Sequence, residues 1–371
     1  MRILFDARMA QWTGVGRYIT GLVPTLFRMD PKDEYIVLLN PGDATDFCPD
    51  LPNVRKVFCR RALKPYSLSE QMFLHRELGR HGADLVHIPH FNVPRLVPPP
   101  FIVTIHDLIY LLFPEDAPSR LAFWAAKRMI RSAVRRAEMI LSVSENTRAD
   151  LVRLLDVDAD RIRVSWLGPP NFRAVSPGTA SLEGLDGPYL LYTGNHSPHK
   201  NLKTLLEALD LLRRDGLDLK LVITGKRDRH TPSVETRVAA LGLGKHVIFT
   251  GKVPDEKLVA LYAGAAVLVF PSLYEGFGIP PLEAFASGVP VVASRAASIP
   301  EVLGDAALLV DPRDPAAFRD AISKVTRDEA MRIDLVDRGR KRLEAFSWEK
   351  TAAATLDVYR KTAECLPVPG S

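Results

Sequence analysis

The sequence predicts an α/β protein built on parallel sheets and divided into two domains. Three observations predict it. Short apolar runs with β character alternate with helix-length segments from end to end of the chain. At 371 residues there is surface enough to bury in two cores. A stretch rich in Pro, Gly and Ser, from Leu167-Gly168-Pro169-Pro170 to about Gly187, interrupts the alternation near its middle. The expected domains are 1–170 and 171–348, with a last helix over 349–364.

Composition sets further bounds. Hydrophobic residues make up 47% and charged residues 25%, ordinary for a soluble globular protein. A net charge of +5 suits anionic partners such as nucleotide sugars, nucleic acid or anionic lipid, and does not choose among them. Cys48, Cys59 and Cys365 make no paired framework and no metal-ligand spacing, which fits a reducing compartment. The opening Met1-Arg2-Ile3-Leu4-Phe5-Asp6 reads as a strand, its apolar run being too short for a signal peptide. No run approaches the ~18 apolar residues of a membrane span. The expectation is a soluble cytoplasmic protein.

Taken in order, residues 3–5 form a strand and 17–29 a helix, joined through Gly14-Val15-Gly16. Such a strand–glycine loop–helix unit is either a helix-entry turn or a place where backbone approaches a phosphate or sugar. Strands follow at 35–39, 54–58 and 84–88, the last leading to Pro89-His90-Phe91-Asn92. His87 and His90 are candidates to face a cleft at that strand's carboxyl end. The strand 102–105 delivers His106-Asp107, another polar pair where ligands of such folds collect.

Residues 119–136 read as a helix in which Lys127, Arg131 and Arg135 recur at i, i+4 on one side. Phe123, Ile130, Val134 and Ala137 can pack on the other. A solvated basic face is the simpler reading, and docking on anionic lipid the sharper one. A strand at 139–143 precedes a helix at 145–155 capped by Ser144. Asp156, Asp158 and Asp160 then follow a helix, whereas a metal-binding acidic pair should follow a strand into a cleft. They read as a polar connector before a strand at 163–166, and no metal site is expected.

The second half repeats the logic. A strand at 189–193 runs into Gly194-Asn195-His196-Ser197-Pro198-His199-Lys200-Asn201 and a helix at 202–214, with Lys200 at the helix entrance. There an ammonium and backbone donors can share a diphosphate, unless Lys200 is only a surface lysine. His196 and His199 lack an evident third metal ligand. The strand 219–224 leads to Gly225-Lys226-Arg227, a possible further pair of cations, and 247–250 to Gly251-Lys252-Val253-Pro254 and a helix from Asp255. After a strand ending at Phe270 comes the stretch 274–287, Tyr-Glu-Gly-Phe-Gly-Ile-Pro-Pro-Leu-Glu-Ala-Phe-Ala-Ser. Gly276 and Gly278 let the backbone turn sharply, Pro280 and Pro281 suit a first helical turn, and Gly288 ends the helix. Two carboxylates, Glu275 and Glu283, bracket the loop, Glu283 being expected in the first turn. Strands at 289–293 and 307–310 complete the sheet, and helices fill 315–364, with Ala352, Leu356 and Tyr359 at near-helical spacing.

The whole 274–287 stretch resembles the Glu-(seven residues)-Glu motif of the retaining glycosyltransferases of family four, and the flanking loops agree over nearly the full length. The resemblance implies the GT-B fold, two facing Rossmann-like domains with the active site in the cleft. It also implies that the last helix crosses back to the first domain. The implied reaction is transfer of a hexose from a nucleotide diphosphate sugar to a glycan or lipid-linked glycan hydroxyl, with the anomeric configuration retained and no metal or other cofactor.

The same resemblance assigns roles. His106 contacts the donor sugar, and Lys200 the diphosphate. Where the family often has a second basic residue early in the loop that carries Lys200, this chain has Asn195 and His196, a departure that Lys226 or Arg227 can make good unless theirs is only a basic surface turn. Glu275 holds donor-sugar hydroxyls and Glu283 the ribose diol. Gly14, Gly16, Gly276, Phe277, Gly278 and Ile279 bring backbone to the donor, and Val253 lies in the segment lining the nucleobase pocket. The combined pattern of His87, His90-Phe91-Asn92 and Gly14-Val15-Gly16-Arg17 looks like bacterial polysaccharide mannosyl- and rhamnosyltransferases, which favours GDP-mannose over a UDP-hexose. The expected partners are therefore a nucleotide sugar and a glycan, with peripheral contact at an anionic membrane and no nucleic acid. A nucleotide-sugar 2-epimerase, a silent nucleotide-sugar binder and a phosphorylase are the alternatives.

Overall fold

The computed structural model describes residues 1–98, 100–169, 185 and 187–364. They form two compact units, one of Met1–Gly168 with Phe346–Ser371 and one of Pro169–Ala345. Most of the expected Pro-rich boundary, and the 365–371 tail, lie outside the described residues.

The first unit runs β1 (Arg2–Asp6), α1 (Val15–Met29), β2 (Glu34–Leu39), β3 (Val54–Phe58), α2 (Leu68–Gly79), β4 (Leu85–Ile88), β5 (Phe101–Ile105), α3 (Ile109–Leu112), α4 (Arg120–Arg136), β6 (Ile140–Ser142), α5 (Glu145–Leu155) and β7 (Ile162–Val164). Its seven strands pair in parallel in the order β3-β2-β1-β4-β5-β6-β7. Strands β4, β5 and β6 are buried along their whole length, as expected where helices cover both faces of a parallel sheet. The order reverses between β1 and β4. At such a switch point, successive connections leave on opposite faces and open a crevice at the strands' carboxyl ends.

The second unit runs β8 (Tyr189–Thr193), α6 (Leu202–Arg214), β9 (Lys220–Thr224), α7 (Thr231–Ala240), β10 (Val247–Gly251), α8 (Asp255–Ala263), β11 (Val267–Phe270), α9 (Ile279–Ala286), β12 (Val291–Ser294), α10 (Ile299–Leu303), β13 (Leu308–Val310), α11 (Pro315–Arg327) and α12 (Glu329–Leu343). Its six parallel strands pair in the order β10-β9-β8-β11-β12-β13, with the switch point between β8 and β11. Leu205, Leu209, Leu212, Phe318, Ile322 and Val325 pack the inner faces of α6 and α11 against this sheet.

The last helix, α13 (Trp348–Glu364), belongs to the first unit and packs along α1. Its first residue explains two glycines. A Cβ on Gly21 would lie 2.2 Å from the Trp348 ring, and one on Gly168 2.5 Å from it, so the indole fits only between residues without side chains. Farther along, the Tyr359 hydroxyl shares a 2.8 Å hydrogen bond with Nδ1 of His87, and both residues are fully buried. Ala352 and Leu356 face the same interior.

Several expected boundaries move. The strand expected at 163–166 is Ile162–Val164, and that at 139–143 shortens to Ile140–Ser142. Helix α2 has no counterpart in the sequence reading.

Candidate active site

In the second unit, the 274–287 stretch leaves β11 and turns into α9 through Gly278, whose φ of +100° lies where side chains are rarely accommodated. A Cβ there would also stand 3.4 Å from the Phe270 ring. Pro280 and Pro281 occupy the second and third positions of α9 and carry no N–H. The backbone donors of this helix entrance therefore belong to Gly278 and Ile279 rather than to the first turn as a whole. Gly276, Phe277 and Gly278 are buried and Ile279 half-buried.

Glu275 is 8% exposed, and the Lys200 ammonium donates to both its carboxylate oxygens, at 2.7 and 2.9 Å. Lys200 closes a short 3₁₀ turn, Pro198–Lys200. The next residue, Asn201, takes a left-handed conformation at φ +59° and donates its side-chain amide to Pro271 O at 3.0 Å and Pro312 O at 2.6 Å. Leu273 N donates to His199 O at 2.7 Å. These bonds tie the loop after β8 to the loop after β11, the two sides of the switch point, and so fix the Lys200–Glu275 pair. From β12 and α10, the Ser294 hydroxyl donates to Ser272 O, and Ser298 to Glu275 O at 2.9 Å and Phe277 O at 3.2 Å. Ser298, at the entrance to α10, thus anchors the loop that presents Glu275.

Glu283 is the fifth residue of α9 and 1% exposed, so it is not in the first turn and does not serve as an exposed partner of the helix dipole. Its Oε2 accepts 2.6 Å from the Tyr262 hydroxyl, which also shares a 3.1 Å bond with Thr193 Oγ1 at the end of β8. A phenol from α8 and a threonine from β8 thereby orient the second carboxylate. Sequence reasoning missed Tyr262 altogether.

The loops after β8 and β9 meet closely. A Cβ on Gly225 would stand 2.0 Å from Gly194 O, and Asp228 accepts from the backbone N–H groups of His196 and His230. His196 shares a 2.8 Å bond with Thr231 Oγ1, and its burial lowers its pKa. Among the described residues no group of three metal-ligating side chains occurs. Arg227 is engaged by Glu235, whereas Lys226 is exposed. Val253 is half-buried in the turn between β10 and α8.

In the first unit the expected residues also gather at strand carboxyl ends. Gly14 has φ +69° and open space around a hypothetical Cβ. Gly16 is required by packing instead, because a Cβ would lie 2.4 Å from Ala10 O. His106 Nε2 lies 2.9 Å from Pro89 O, and a carbonyl only accepts, so Nε2 carries the proton. Burial pushes its pKa down to about 4, leaving a neutral ring whose Nδ1 is an acceptor. His90 Nδ1 accepts from Asn92 N at 3.2 Å, which leaves the proton on Nε2, beside the Tyr66 hydroxyl at 3.2 Å. His87 corrects the sequence reading. It faces no cleft, being fully buried with both ring nitrogens held by Tyr359 and Thr104.

A model of the family described as Glycosyltransferase Family 4 matches residues 12–168, and one described as Glycosyl transferases group 1 matches residues 180–342. O-antigen chain mannosyltransferase B of Escherichia coli is 30% identical over 384 aligned positions, covering 97% of this chain and all of that protein. The chain belongs to glycosyltransferase family 4. O-antigen chain mannosyltransferase RfbU of Salmonella typhimurium is 29% identical, with 74% of this chain and 73% of that protein covered. Among solved structures, sucrose-phosphate synthase from Thermosynechococcus elongatus superposes with a TM-score of 0.76 at 22% identity, over 99% of this chain and 100% of the other. Anabaena Alr3699/HepE, in complex with UDP and glucose, does so with 0.75 at 18% identity, over 97% and 100%. These two likenesses concern the fold, which is GT-B with two Rossmann-like units, as the resemblance implied. The family membership makes this protein a glycosyltransferase.

The basic helix α4 of this family 4 glycosyltransferase is half as expected. Ile130, Val134 and Ala137 are buried and Phe123 half-buried; of the basic face, Arg131 and Arg135 are exposed, whereas Lys127 is half-buried with its ammonium 5.0 Å from the Trp124 ring centroid. Leu121 and Trp124, near the start of the helix, are 80% and 60% exposed. Arg136 is committed to the backbone carbonyls of Pro94 and Arg95. No helix among the described residues is long and apolar enough to cross a membrane.

Proposed function

We propose that this glycosyltransferase moves mannose from a nucleotide diphosphate sugar, GDP-mannose in preference to a UDP-hexose, to a hydroxyl of a glycan or lipid-linked glycan, retaining the anomeric configuration. The observation that carries the reading is the Lys200–Glu275 pair, fixed at the β8/β11 switch point beside the Gly278 turn. Two O-antigen mannosyltransferases among the relatives support the choice of sugar.

An ammonium has three donors, and two already face Glu275, so the third suits a departing diphosphate oxygen. With the backbone N–H groups around Gly278, Lys200 would stabilise the charge that grows on that oxygen. Lys226 is a second cation for the diphosphate. Glu275 would hold donor-sugar hydroxyls, and Glu283, oriented by Tyr262, the ribose diol. His106 offers an imidazole lone pair to a sugar hydroxyl. In the step itself, the bond from the anomeric carbon to the diphosphate oxygen breaks and its electron pair leaves with oxygen. The acceptor hydroxyl oxygen bonds the same face of that carbon, and its proton passes to the departing diphosphate. No metal is required in this scheme.

Incubation with GDP-mannose, UDP-glucose and UDP-galactose against a panel of oligosaccharides, with proton NMR of the products, tests the proposal. An α-linked mannoside from GDP-mannose is expected. An inverted linkage, or a new free nucleotide sugar made without acceptor, as an epimerase would give, contradicts it. The setting proposed is the cytoplasmic face of a membrane bearing lipid-linked acceptor, with α4 against anionic lipid. Vesicle sedimentation with and without phosphatidylglycerol, for wild type and Arg131→Glu/Arg135→Glu, checks that contact.

A further inference from the structure

The first unit carries a row of rings of which the reading above uses only the last, His106. Trp12, just after β1, is 43% exposed, and Tyr66, between β3 and α2, is 45% exposed. Their ring centroids lie 5.8 Å apart. The row continues from Tyr66 to His90 at 5.7 Å and from His90 to His106 at 6.4 Å. It therefore runs from an exposed pair of aromatics across the β1/β4 switch point to the end of β5, along the strand edge where such folds receive ligands.

The exposed end is held firmly. Tyr66 is one of four non-glycine residues among those described with positive φ, at +65°. Its backbone N–H donates 2.7 Å to Glu70 Oε2, and its hydroxyl meets His90. Glu70 is fully buried, bonded through Oε1 to Arg8 at 2.9 Å and through Oε2 to the Asn92 amide. Arg8 in turn grips both oxygens of Asp6, the last residue of β1, at 2.8 and 2.7 Å. A buried ion-pair chain thus links the end of β1 to an exposed phenol held in an unfavourable backbone conformation. Strain of that kind persists only where its surroundings over-determine it, and it gathers at ligand clamps. Trp12 is placed by the turn in which its N–H donates to Met9 O at 2.9 Å.

We propose that Trp12 and Tyr66 form a stacking platform for a pyranose ring of the acceptor glycan, with the Arg8–Glu70 chain as its positioning support. This rests on the glycosyltransferase reading and specifies its acceptor subsite. A pyranose presents an apolar face of C–H groups to an aromatic ring while its hydroxyls reach polar neighbours. Tyr and Trp offer that combination, rigid apolar area with a polar handle. The inner end of the row suits hydroxyls rather than phosphate, because Arg8 is consumed by two carboxylates and the imidazoles of His90 and His106 are uncharged at neutral pH.

The test uses the full chain, with mannobiose, mannotriose and the corresponding gluco- and galacto-oligosaccharides as probes. Tryptophan fluorescence is titrated in wild type, Trp12→Phe, Trp12→Ala and Tyr66→Gly, the last removing the ring at a φ that glycine adopts without strain. In wild type a saturable change with at least one probe is expected, and it should be absent in Tyr66→Gly, which keeps the Trp12 reporter; the Trp12 variants lose that reporter and are judged by acceptor KM. In transfer assays the acceptor KM should rise about ten-fold or more in Trp12→Ala and Tyr66→Gly, with donor KM within about two-fold of wild type. Wild-type acceptor KM in both variants, or a fluorescence change produced by inorganic phosphate and by none of the sugars, overturns the proposal. Nucleotide binding, followed on the same samples, reports on the second unit and so separates failure of this subsite from failure of the functional reading.

Discussion

Removing the Lys200 ammonium separates a structural ion pair from a catalytic one. In Lys200→Met the Glu275 carboxylate, 8% exposed, loses donors at 2.7 and 2.9 Å. The pair is only slightly exposed, with side-chain values of 16% and 10%, so it lies nearer the buried than the surface regime. Losing charge-assisted bonds of that kind should cost about 2 kcal/mol of stability, a fall of about 4–8 °C in the melting temperature of a unit this size. The catalytic loss should be larger and of different origin. An electrostatic donor missing from a leaving diphosphate costs about 10²–10³-fold in kcat. The assay is donor-saturated transfer kinetics beside a thermal melt, for Lys200→Met, Glu275→Gln and the double variant. Glu275→Gln keeps an acceptor for the ammonium, so the cycle isolates the pair's coupling in stability from the effect on rate. If kcat of Lys200→Met falls by less than about three-fold while the melting temperature drops as calculated, Lys200 is a structural partner of Glu275, and the diphosphate role is refuted.

Further expectations follow from the same geometry. Tyr262→Phe removes the 2.6 Å donor to Glu283 and should weaken nucleotide binding about ten-fold in calorimetry, with little effect on acceptor KM. Ser298→Ala frees the carbonyls of Glu275 and Phe277 and should cost about 1–2 kcal/mol in urea unfolding, and lower kcat by loosening the loop. In the first unit, burial holds His87 and His90 at about 3 and His106 at about 4, all below the ordinary 6.5. The unfolded chain therefore binds more protons than the folded one below about pH 6.5, and stability falls as pH drops from there. Each histidine contributes at most about 1.4 kcal/mol per pH unit. Urea midpoints at pH 7, 6 and 5 should decline in that order, and a flat profile above pH 5 contradicts the buried, neutral assignment.

The alternation of strands and helices was readable because most β runs are short, apolar and bounded by turn residues, β3 with Arg55 and Lys56 being an exception. Helix α2 escaped because two of its buried positions are Glu70 and Glu77, which break the apolar periodicity that would reveal a buried face. A cap was nonetheless present, since Ser67 accepts from Glu70 N. His87 could not be placed from sequence, because β4 is buried on both faces and no alternation marks which of its side chains face a crevice. The turn at 274–281 was legible from its glycines and prolines, whereas Glu275 and Glu283 stood out as a pair only through the resemblance of the whole stretch to a family motif. Tyr262 was not legible, since a phenol on α8 acquires its role only when tertiary packing brings it to Glu283 from 21 residues away. The platform of Trp12 and Tyr66 is likewise a product of topology, joining the loops after β1 and β3.

The central claim is that the second unit is built to hold a nucleotide diphosphate through Glu283, Lys200 and the Gly278 turn. Calorimetric titration of GDP, UDP and ADP into wild type and Glu283→Ala, with and without magnesium, tests it most directly. The account predicts GDP binding in preference to UDP and ADP, independent of magnesium, and weakened about ten-fold or more in Glu283→Ala. Equal affinity of the variant and wild type for every nucleotide, or no binding by the wild type, contradicts it.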